Sequence, residues 1–258
     1  GLYPLMSLIG IFVAGLFICY LTKKHEYSVD DMITFLLICA CGVLLGGHLL
    51  YGLINFPLLL EFFSKLGSVS SFEEFINNII LIFGGSVFYG GLLGGILVGV
   101  IYSKKSHFDL KNQLDFFAPA VPLFHVFGRI GCFLGGCCYG IECNIGFVYT
   151  HSLVPIADGV TRFPVQLVES AFNLFLFLLL FGLLQKNIMK GKLFFLYLIL
   201  YPIGRFLLEF LRGDVYRGIY FGLSTSQWIS LLLIIISTII LLSSRQKTHS
   251  NHIEKTVS

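Results

Sequence analysis

The stretch HVFGRIGCFLGGCCYG, residues 125–140, combines an apolar run with an arginine, a histidine and three cysteines. Arg129 stands inside that run, at a depth where a membrane-spanning helix would meet lipid tails. An ionisable side chain at such a depth costs at least about 3 kcal/mol. We therefore interpret this stretch as a spanning segment whose arginine faces other protein groups rather than lipid.

The composition is that of an integral membrane protein. The 258 residues are 56% hydrophobic and only 12% charged, whereas soluble domains carry about 25% charged residues. Apolar runs of about 18 residues or more indicate spanning helices. We predict an all-α fold with seven transmembrane helices in one domain, 1–243, followed by a polar, disordered tail, 244–258. The predicted spans are 2–22, 32–56, 79–102, 114–139, 164–185, 191–211 and 224–243.

The loops between the predicted spans differ in basic residues, and the difference predicts an orientation. Loops 23–31, 103–113 and 186–192, with the tail from 244, contain eleven lysines and arginines, and the opposite set contains four. Since cytoplasmic loops are enriched in these residues, we expect the N-terminus outside and the C-terminus in the cytoplasm. The longest outward loops, 57–78 and 140–163, are expected to form a small external cap. The net charge of +3 is small and gives no indication of a nucleic-acid partner.

Polar side chains recur at helical spacing inside three of the predicted spans. Residues four apart share one face of a helix. Such stripes consist of Tyr201, Arg205 and Glu209 in the sixth span, Gln166, Glu169 and Asn173 in the fifth, and His125 and Arg129 in the fourth.

These stripes allow two interpretations. In the first, the pairs Arg205–Glu209 and Arg129–Glu169 only hold helices together. In the second, they line a hydrated cavity with excess positive charge that admits an anionic lipid head group, because an arginine fork suits phosphate well. In the second span, His48 and Tyr51 also lie one turn apart, and His48 is either a hydrogen-bonded interhelical group or a ligand.

Glycines concentrate in the predicted third span, where they recur at every fourth residue. They form two ridges along the helix, one of Gly91, Gly95 and Gly99 and one of Gly90 and Gly94. Such ridges let helix backbones approach closely. The alternative is that the segment SVFYGG, 86–91, opens its backbone toward a polar cavity, as broken helices at membrane depth do.

Four cysteines cluster within twelve residues, and several interpretations stay open for them. The cluster consists of Cys132, Cys137, Cys138 and Cys143. A disulfide fits an oxidising outer side, a reactive thiolate fits Cys132 beside Arg129, and simple packing fits small apolar side chains. Structural zinc sites usually have separate pairs of cysteines with C-x₂₋₄-C spacing, and the successive separations of 5, 1 and 5 residues in this cluster match that pattern poorly. The sequence accordingly predicts no metal and no cofactor.

Five stretches resemble the motifs of the prolipoprotein diacylglyceryl transferase family, in family order. GRIGCFLGG, 128–136, is similar to GRIGNFxNG, and SVFYGGLLGG, 86–95, resembles SFHGGLIG. RFPVQLVES, 162–170, is similar to R-x-P-x-Q-L-Y-E, and GLSTSQWISL, 222–231, resembles the last-span Q-x-x-S. YPIGRFLLEFLRGD, 201–214, resembles Y-G-x-x-R-F-x-x-E-x-x-R-x-x-D, with Pro202 in place of glycine.

The resemblance implies a seven-span enzyme of the bacterial inner membrane. It would transfer diacylglyceryl from phosphatidylglycerol to the lipobox cysteine thiol of a prolipoprotein and release glycerol-1-phosphate. It implies that Arg129 and Arg205 recognise the phosphate and stabilise the leaving group. The remaining motif positions would bind and orient the head group: Tyr201, Gln166, Glu169 and Glu209. We also expect Tyr51 and His48, which lie one turn apart in the second span, to take part in substrate binding.

The chain departs from the family pattern at positions that bear on the chemistry. The histidine of SFHGG, a proposed base, is Tyr89 here, and a tyrosine side chain is neutral at pH 7 and a weak base. Cys132 replaces the signature asparagine, Cys137 replaces an acidic residue, and His48 replaces an arginine. These departures leave open a related transfer to another acceptor, or a non-catalytic lipid-binding or transport protein on the same scaffold.

Overall fold

The fold is built almost entirely from helices. The computed structural model describes residues 2–64, 71–85, 87–214 and 218–257, apart from the side chains of residues 88, 89 and 244–257. The chain divides into two compact units, Thr22–Leu110 and the combination of Gly1–Leu21 with Lys111–Ser258. The helices of the described part are α1 (Leu2–Lys24), α2 (Val29–Ile54), α3 (Phe56–Ser64), α4 (Phe72–Phe83), α5 (Phe88–Ser106), α6 (Leu110–Gly135), α7 (Val165–Gln185), α8 (Leu193–Leu208) and α9 (Thr225–Val257).

Six of these helices are long and apolar enough to cross a membrane. They are α1, α2, α6, α7, α9 and α8 together with the short 3₁₀ turn that follows it, counted over the described residues. Only 17% to 33% of each apolar segment is buried inside the protein. The other apolar side chains are exposed, as expected where lipid rather than water surrounds the helices. The all-α membrane class predicted from the sequence is confirmed.

The predicted third span, 79–102, is wrong in its bounds, because two helices share it. Helix α4 ends at Phe83 and α5 begins at Phe88. The chain between them passes close to Tyr51, and a Cβ atom on Gly85 would lie 2.3 Å from that ring. Apolar residues stand on both sides of the break, so hydrophobicity alone cannot locate it. The segment corresponding to this span is the glycine-rich α5, with Lys104 and Lys105 in its last turn.

Two other helices end at different places from those predicted. Helix α6 is continuous through Pro119 and Pro122, but it ends at Gly135 rather than at residue 139. Helix α9 continues to Val257, so the backbone of the tail is helical where the sequence predicts disorder. The tail contains no glycine or proline that would end the preceding helix. The division into a membrane domain and a tail stays a prediction.

In the unit Thr22–Leu110, α2 and α5 pack backbone against backbone through glycines. A Cβ atom on Gly46 would lie 2.2 Å from the carbonyl oxygen of Gly90, and one on Gly94 would lie 2.3 Å from that of Gly42. Neither position leaves room for a methyl group. The interpretation of the glycine ridges as close helix packing is therefore confirmed.

Two small antiparallel sheets complete the other unit. Strand β1 (Glu142–Val148) pairs with β2 (Thr161–Arg162), and β3 (Ile219–Tyr220) pairs with β4 (Leu223–Ser224). The first pair lies within 140–163, which the sequence assigns to an external cap. The other predicted cap segment, 57–78, contains parts of α3 and α4, and its residues 65–70 lie outside the described part.

Arg162 holds the segment between β1 and β2 in place. Its guanidinium donates hydrogen bonds to the carbonyl oxygens of Ile156 at 2.9 Å and Ala157 at 3.1 Å. It also lies 4.3 Å from the centre of the Tyr139 ring, a cation–π contact. The family-like motif that begins at this arginine thus starts with a residue that fixes local backbone.

The start of α8 is anchored by a carboxylate from α6. Asp115 is buried, and its Oδ1 accepts hydrogen bonds from the backbone N–H of Leu193 at 2.9 Å and of Phe194 at 3.4 Å. Its Oδ2 accepts from the N–H of Gly191. These are N–H groups that a helix start leaves without intrahelical partners, and a negative charge there is favoured by the helix dipole.

Replacing Asp115 by alanine is expected to destabilise the protein by about 1–3 kcal/mol, because buried N–H groups of α8 lose their acceptor. Thermal unfolding of the purified protein in detergent measures the loss. The control is Asp115→Asn, which keeps one acceptor oxygen and should lose less. Equal stability of Asp115→Ala and the unsubstituted protein would show that the anchor is dispensable.

Candidate active site

The first part of the site is an ion pair between α6 and α7. The Nε of Arg129 lies 3.0 Å from Oε1 of Glu169, whose side chain is only 3% exposed, whereas that of Arg129 is 21% exposed. Ser170 lies next to this pair and donates a hydrogen bond to the carbonyl oxygen of Val126 at 3.0 Å. The predicted pair forms, and the Nη1 of Arg129 lies 3.9 Å from Sγ of Cys132.

The second part is a carboxylate shared by two arginines at the end of α8. Oε2 of Glu209 lies 2.7 Å from Nη2 of Arg205 and 3.8 Å from Nη1 of Arg212. Arg212 also pairs with Asp214 through both of its carboxylate oxygens. The Nη2 of Arg205 is 3.4 Å from Oγ of Ser226 on α9. The predicted spacing of Arg205 and Glu209 along one helix face therefore produces the predicted pair.

Tyr201 connects the two arginines. Tyr201 interacts electrostatically with both Arg129 and Arg205. Its ring lies 5.1 Å from the His125 ring and 5.6 Å from that of Tyr197. These aromatic contacts restrict the orientation of the Tyr201 ring.

The charges in this region balance, which corrects the expectation of an excess of positive charge. Among the described residues, three arginines face three carboxylates: Arg129, Arg205 and Arg212 with Glu169, Glu209 and Asp214. The ion pairs do not use every donor, since a guanidinium carries five N–H groups. The Nη1 of Arg205 is buried and has no hydrogen-bond partner within the described part of the chain. An anion with several acceptor oxygens matches such remaining donors.

Gln166 positions the turn that follows α6. Its side-chain nitrogen donates to the carbonyl oxygen of Cys137 at 2.9 Å and to the hydroxyl of Tyr149 at 3.2 Å. Gln166 is almost fully buried at 1% exposure. The sequence spacing places Gln166 on the same helix face as Glu169. In the structure its side chain contacts the cysteine-rich turn after α6.

Three of the four clustered cysteines come together, and the fourth does not. The Sγ atoms of Cys132, Cys137 and Cys138 all lie within 4.8 Å of one another. The thiol of Cys143 instead faces the carbonyl oxygen of Ile145 at 2.8 Å. All seven cysteines are free thiols, so the disulfide, one of the interpretations that the sequence left open, is not formed.

The reactive-thiolate hypothesis fits Cys138 better than Cys132. Hydrogen bonds from the thiols of Cys132 and Cys137 hold the pKa of Cys138 well below its ordinary value, and the cations Arg212 and Arg129 act in the same direction. Cys138 lies beyond the end of α6, in a left-handed backbone conformation with φ of 54°. For Cys132, the contact with Arg129 is long, at 3.9 Å between Nη1 and Sγ.

A family model described as prolipoprotein diacylglyceryl transferase matches residues 1–243. The chain belongs to this family. A phosphatidylglycerol–prolipoprotein diacylglyceryl transferase of Clostridium tetani is 36% identical over 240 residues, 91% of this chain and 89% of that protein. A second relative with this name, from Clostridium perfringens, is 36% identical over 90% of this chain and 86% of its own length. A third, from Helicobacter hepaticus, is 30% identical over 92% and 81%.

The remaining residues of the diacylglyceryl transferase resemblance lie in the unit Thr22–Leu110. Nδ1 of His48 is 2.7 Å from the carbonyl oxygen of Phe83 and 2.8 Å from that of Gly85, so a proton on Nδ1 satisfies this geometry. His48 therefore ties α2 to the chain between α4 and α5. Tyr51 packs against Gly85. The side chain of Tyr89 lies outside the described residues, and its role stays a prediction.

Sequence reasoning missed several partners of these family-motif residues. Arg212 stands three residues after Glu209, a spacing that signals proximity, but the site was not extended to it. Asp214 and Tyr149 lie in irregular segments, where no periodicity indicates a direction. Ser226 contacts Arg205 across two helices, a contact that sequence spacing does not encode.

Proposed function

We propose that this chain transfers the diacylglyceryl group of phosphatidylglycerol to the cysteine thiol of a prolipoprotein lipobox. Its family membership and its relatives' printed name support this reaction. The observation that assigns particular residues to the reaction is the pair of arginines, Arg129 held by Glu169 and Arg205 held by Glu209.

The reaction requires cations at the departing phosphate. The thiol sulfur attacks the glyceryl carbon bonded to the phosphate oxygen, and a C–S bond forms as that C–O bond breaks. The electron pair leaves with glycerol-1-phosphate, and the thiol proton passes to a base or to the phosphate. Hydrogen-bond donors aimed at such developing charge typically contribute about 10²–10³ in rate each. We assign this role to Arg129 and Arg205.

The carboxylates have a positioning role in this proposal. Glu169 engages Nε of Arg129, and Glu209 engages Nη2 of Arg205, so each guanidinium is oriented while other N–H groups stay available to the phosphate. Tyr201 is proposed to orient both arginines, and Gln166 to hold the adjoining turn. Preorganised donors need no rearrangement when the charge develops.

Three further residues enter the proposal as candidates from the sequence. We assign His48 and Tyr51 to head-group recognition. Tyr89 occupies the place of the family's proposed base, and as a neutral phenol it would donate a hydrogen bond rather than remove a proton.

We further propose the membrane arrangement that the basic loops predict. Helix α5 is the seventh span, the N-terminus lies outside, and the tail lies in the cytoplasm of a bacterial cell. The segments 57–78 and 140–163 form the external cap of one membrane domain in the inner membrane. Lys104 and Lys105, at the end of α5, then lie on the cytoplasmic side, as positive residues flanking spans do.

A paired assay tests the function. Purified protein is mixed with phosphatidylglycerol vesicles, with and without a peptide that carries a lipobox cysteine, and both glycerol-1-phosphate release and peptide mass are measured. We expect release that depends on the cysteine peptide, with a matching diacylglyceryl adduct, and none with a Cys→Ser peptide. Release without adduct would indicate another acceptor, and no release at all would indicate a lipid-binding protein; either outcome overturns the proposal.

A further inference from the structure

Cys132, Cys137 and Cys138 gather three sulfur atoms at the end of α6. Cys132 is the buried member, on the last turn of that helix, and the other two follow in the turn after it. All three pairwise Sγ distances are within 4.8 Å, and all three thiols are free. The diacylglyceryl transfer proposed above uses none of these thiols.

The backbone holds this turn in a defined shape. Gly136 and Cys138 have positive φ angles of 67° and 54°, which reverse the chain and bring the second and third sulfur atoms back toward Cys132. The N–H of Cys137 donates to the carbonyl oxygen of Cys132 at 3.1 Å, and the carbonyl oxygen of Cys137 accepts from Gln166. The three thiols are thus placed by the fold and not only by side-chain rotation.

The spacing is close to that required around one thiophilic metal ion. Zinc–sulfur bonds are about 2.3 Å long, which puts two sulfur ligands of a tetrahedral zinc about 3.8 Å apart. Sulfur atoms already within 4.8 Å of one another reach that separation by small side-chain rotations. The fourth cysteine of the cluster, Cys143, faces Ile145, so the site has three sulfur ligands and an open position.

The surrounding charges suit a thiolate cluster. Three thiolates carry three negative charges, of which a Zn²⁺ ion compensates two and a Cu⁺ ion one. The Nη1 of Arg129 lies 3.9 Å from Sγ of Cys132, which places a cation beside the cluster. Soft sulfur ligands of this kind select Zn²⁺ and Cu⁺ over Mg²⁺ or Ca²⁺.

We propose that Cys132, Cys137 and Cys138 form a binding site for one thiophilic d¹⁰ metal ion, Zn²⁺ or Cu⁺. The site is specific to this chain's version of the motif, because two of the three cysteines stand where the family resemblance has an asparagine and an acidic residue. The end of α6 and the turn that follows it bring the three ligands together.

Metal binding is tested on the full-length protein, purified in detergent under reducing conditions. The protein is incubated with Zn²⁺, or with Cu⁺ in competition with a chromogenic chelator, and the retained metal is measured after removal of free ion. Co²⁺ replaces Zn²⁺ in a parallel sample to reveal a thiolate-to-metal charge-transfer band. We expect one ion per chain in the unsubstituted protein and in the matched control Cys143→Ser. The single variants Cys132→Ser, Cys137→Ser and Cys138→Ser should retain none.

A second measurement does not depend on how the variants fold. Alkylation of the unsubstituted protein, followed by mass spectrometry of its peptides, should show that Zn²⁺ protects Cys132, Cys137 and Cys138 but not Cys143. Equal labelling with and without metal, or metal retention that survives all three substitutions, overturns the proposal. So does a disulfide between two of the three cysteines in protein kept free of oxidant. None of these measurements uses transfer activity, so their outcome is independent of the proposed reaction.

Discussion

Replacing Arg129 by lysine is expected to lower the rate of diacylglyceryl transfer by about 100-fold or more. Lysine keeps a positive charge for Glu169 but loses the planar fork whose remaining N–H groups we assign to the phosphate. Removal of one such donor from a charged transition state costs about 10²–10³ in rate. The measurement is the initial rate of glycerol-1-phosphate release with the lipobox peptide present.

Protein stability separates this effect from a folding defect. Because Glu169 still faces a cation, Arg129→Lys should unfold at nearly the same temperature as the unsubstituted protein. Arg129→Ala, in contrast, leaves a buried carboxylate without its partner, which typically costs about 3–5 kcal/mol. Arg205→Lys is the parallel variant on α8 and should also lose transfer activity. Transfer activity of Arg129→Lys equal to that of the unsubstituted protein would contradict the proposed contact between Arg129 and the phosphate.

Replacing Gly46 by alanine is expected to prevent the close packing of α2 on α5. The added Cβ atom would lie 2.2 Å from the carbonyl oxygen of Gly90 and 2.9 Å from the Cα of Gly94. Both neighbours are backbone atoms, so relief requires the helices to move apart. Overpacking of this kind costs about 3 kcal/mol or more when no side chain can rotate away. The expected result is a large loss of folded protein, measured by thermal unfolding and by the yield of monodisperse protein.

Gly182 on α7 provides the matched control for that substitution. A Cβ atom on Gly182 would meet nothing within 4 Å, so Gly182→Ala should change stability by no more than about 1 kcal/mol, mainly through helix propensity. If Gly46→Ala and Gly182→Ala were equally stable, the contact between α2 and α5 would not be as close as described.

The sequence predicted those features that depend on periodicity along one helix. Apolar runs located six of the spanning helices, and the four-residue spacing of Arg205 and Glu209 predicted their ion pair. The break between α4 and α5 was not predicted, because the requirement for glycine beside Tyr51 is a tertiary contact. The meeting of Cys132, Cys137 and Cys138 depends on positive φ angles after α6, which hydrophobicity does not reveal.

The balance of charge in the site also depends on a tertiary contact. The sequence pairs Arg129 with Glu169 and Arg205 with Glu209, and the additional Arg212 pairs with Asp214, which lies beyond the helix. A charge balance near a membrane site therefore requires the irregular segments that adjoin the helix ends. Their side-chain directions follow from tertiary structure and not from residue spacing.

The carboxylate of Asp115 also has a geometric consequence for the far end of α8. From Leu193, where the anchor holds the helix, to Arg205 there are twelve residues, a distance of about 18 Å along the axis. A tilt of about 10° at the anchored end would displace the guanidinium by about 3 Å, given that rise per residue. Asp115 thus holds the end of α8 about which such a tilt would occur. Substitutions near Asp115 are expected to displace the Arg205 guanidinium without touching any group that contacts the lipid.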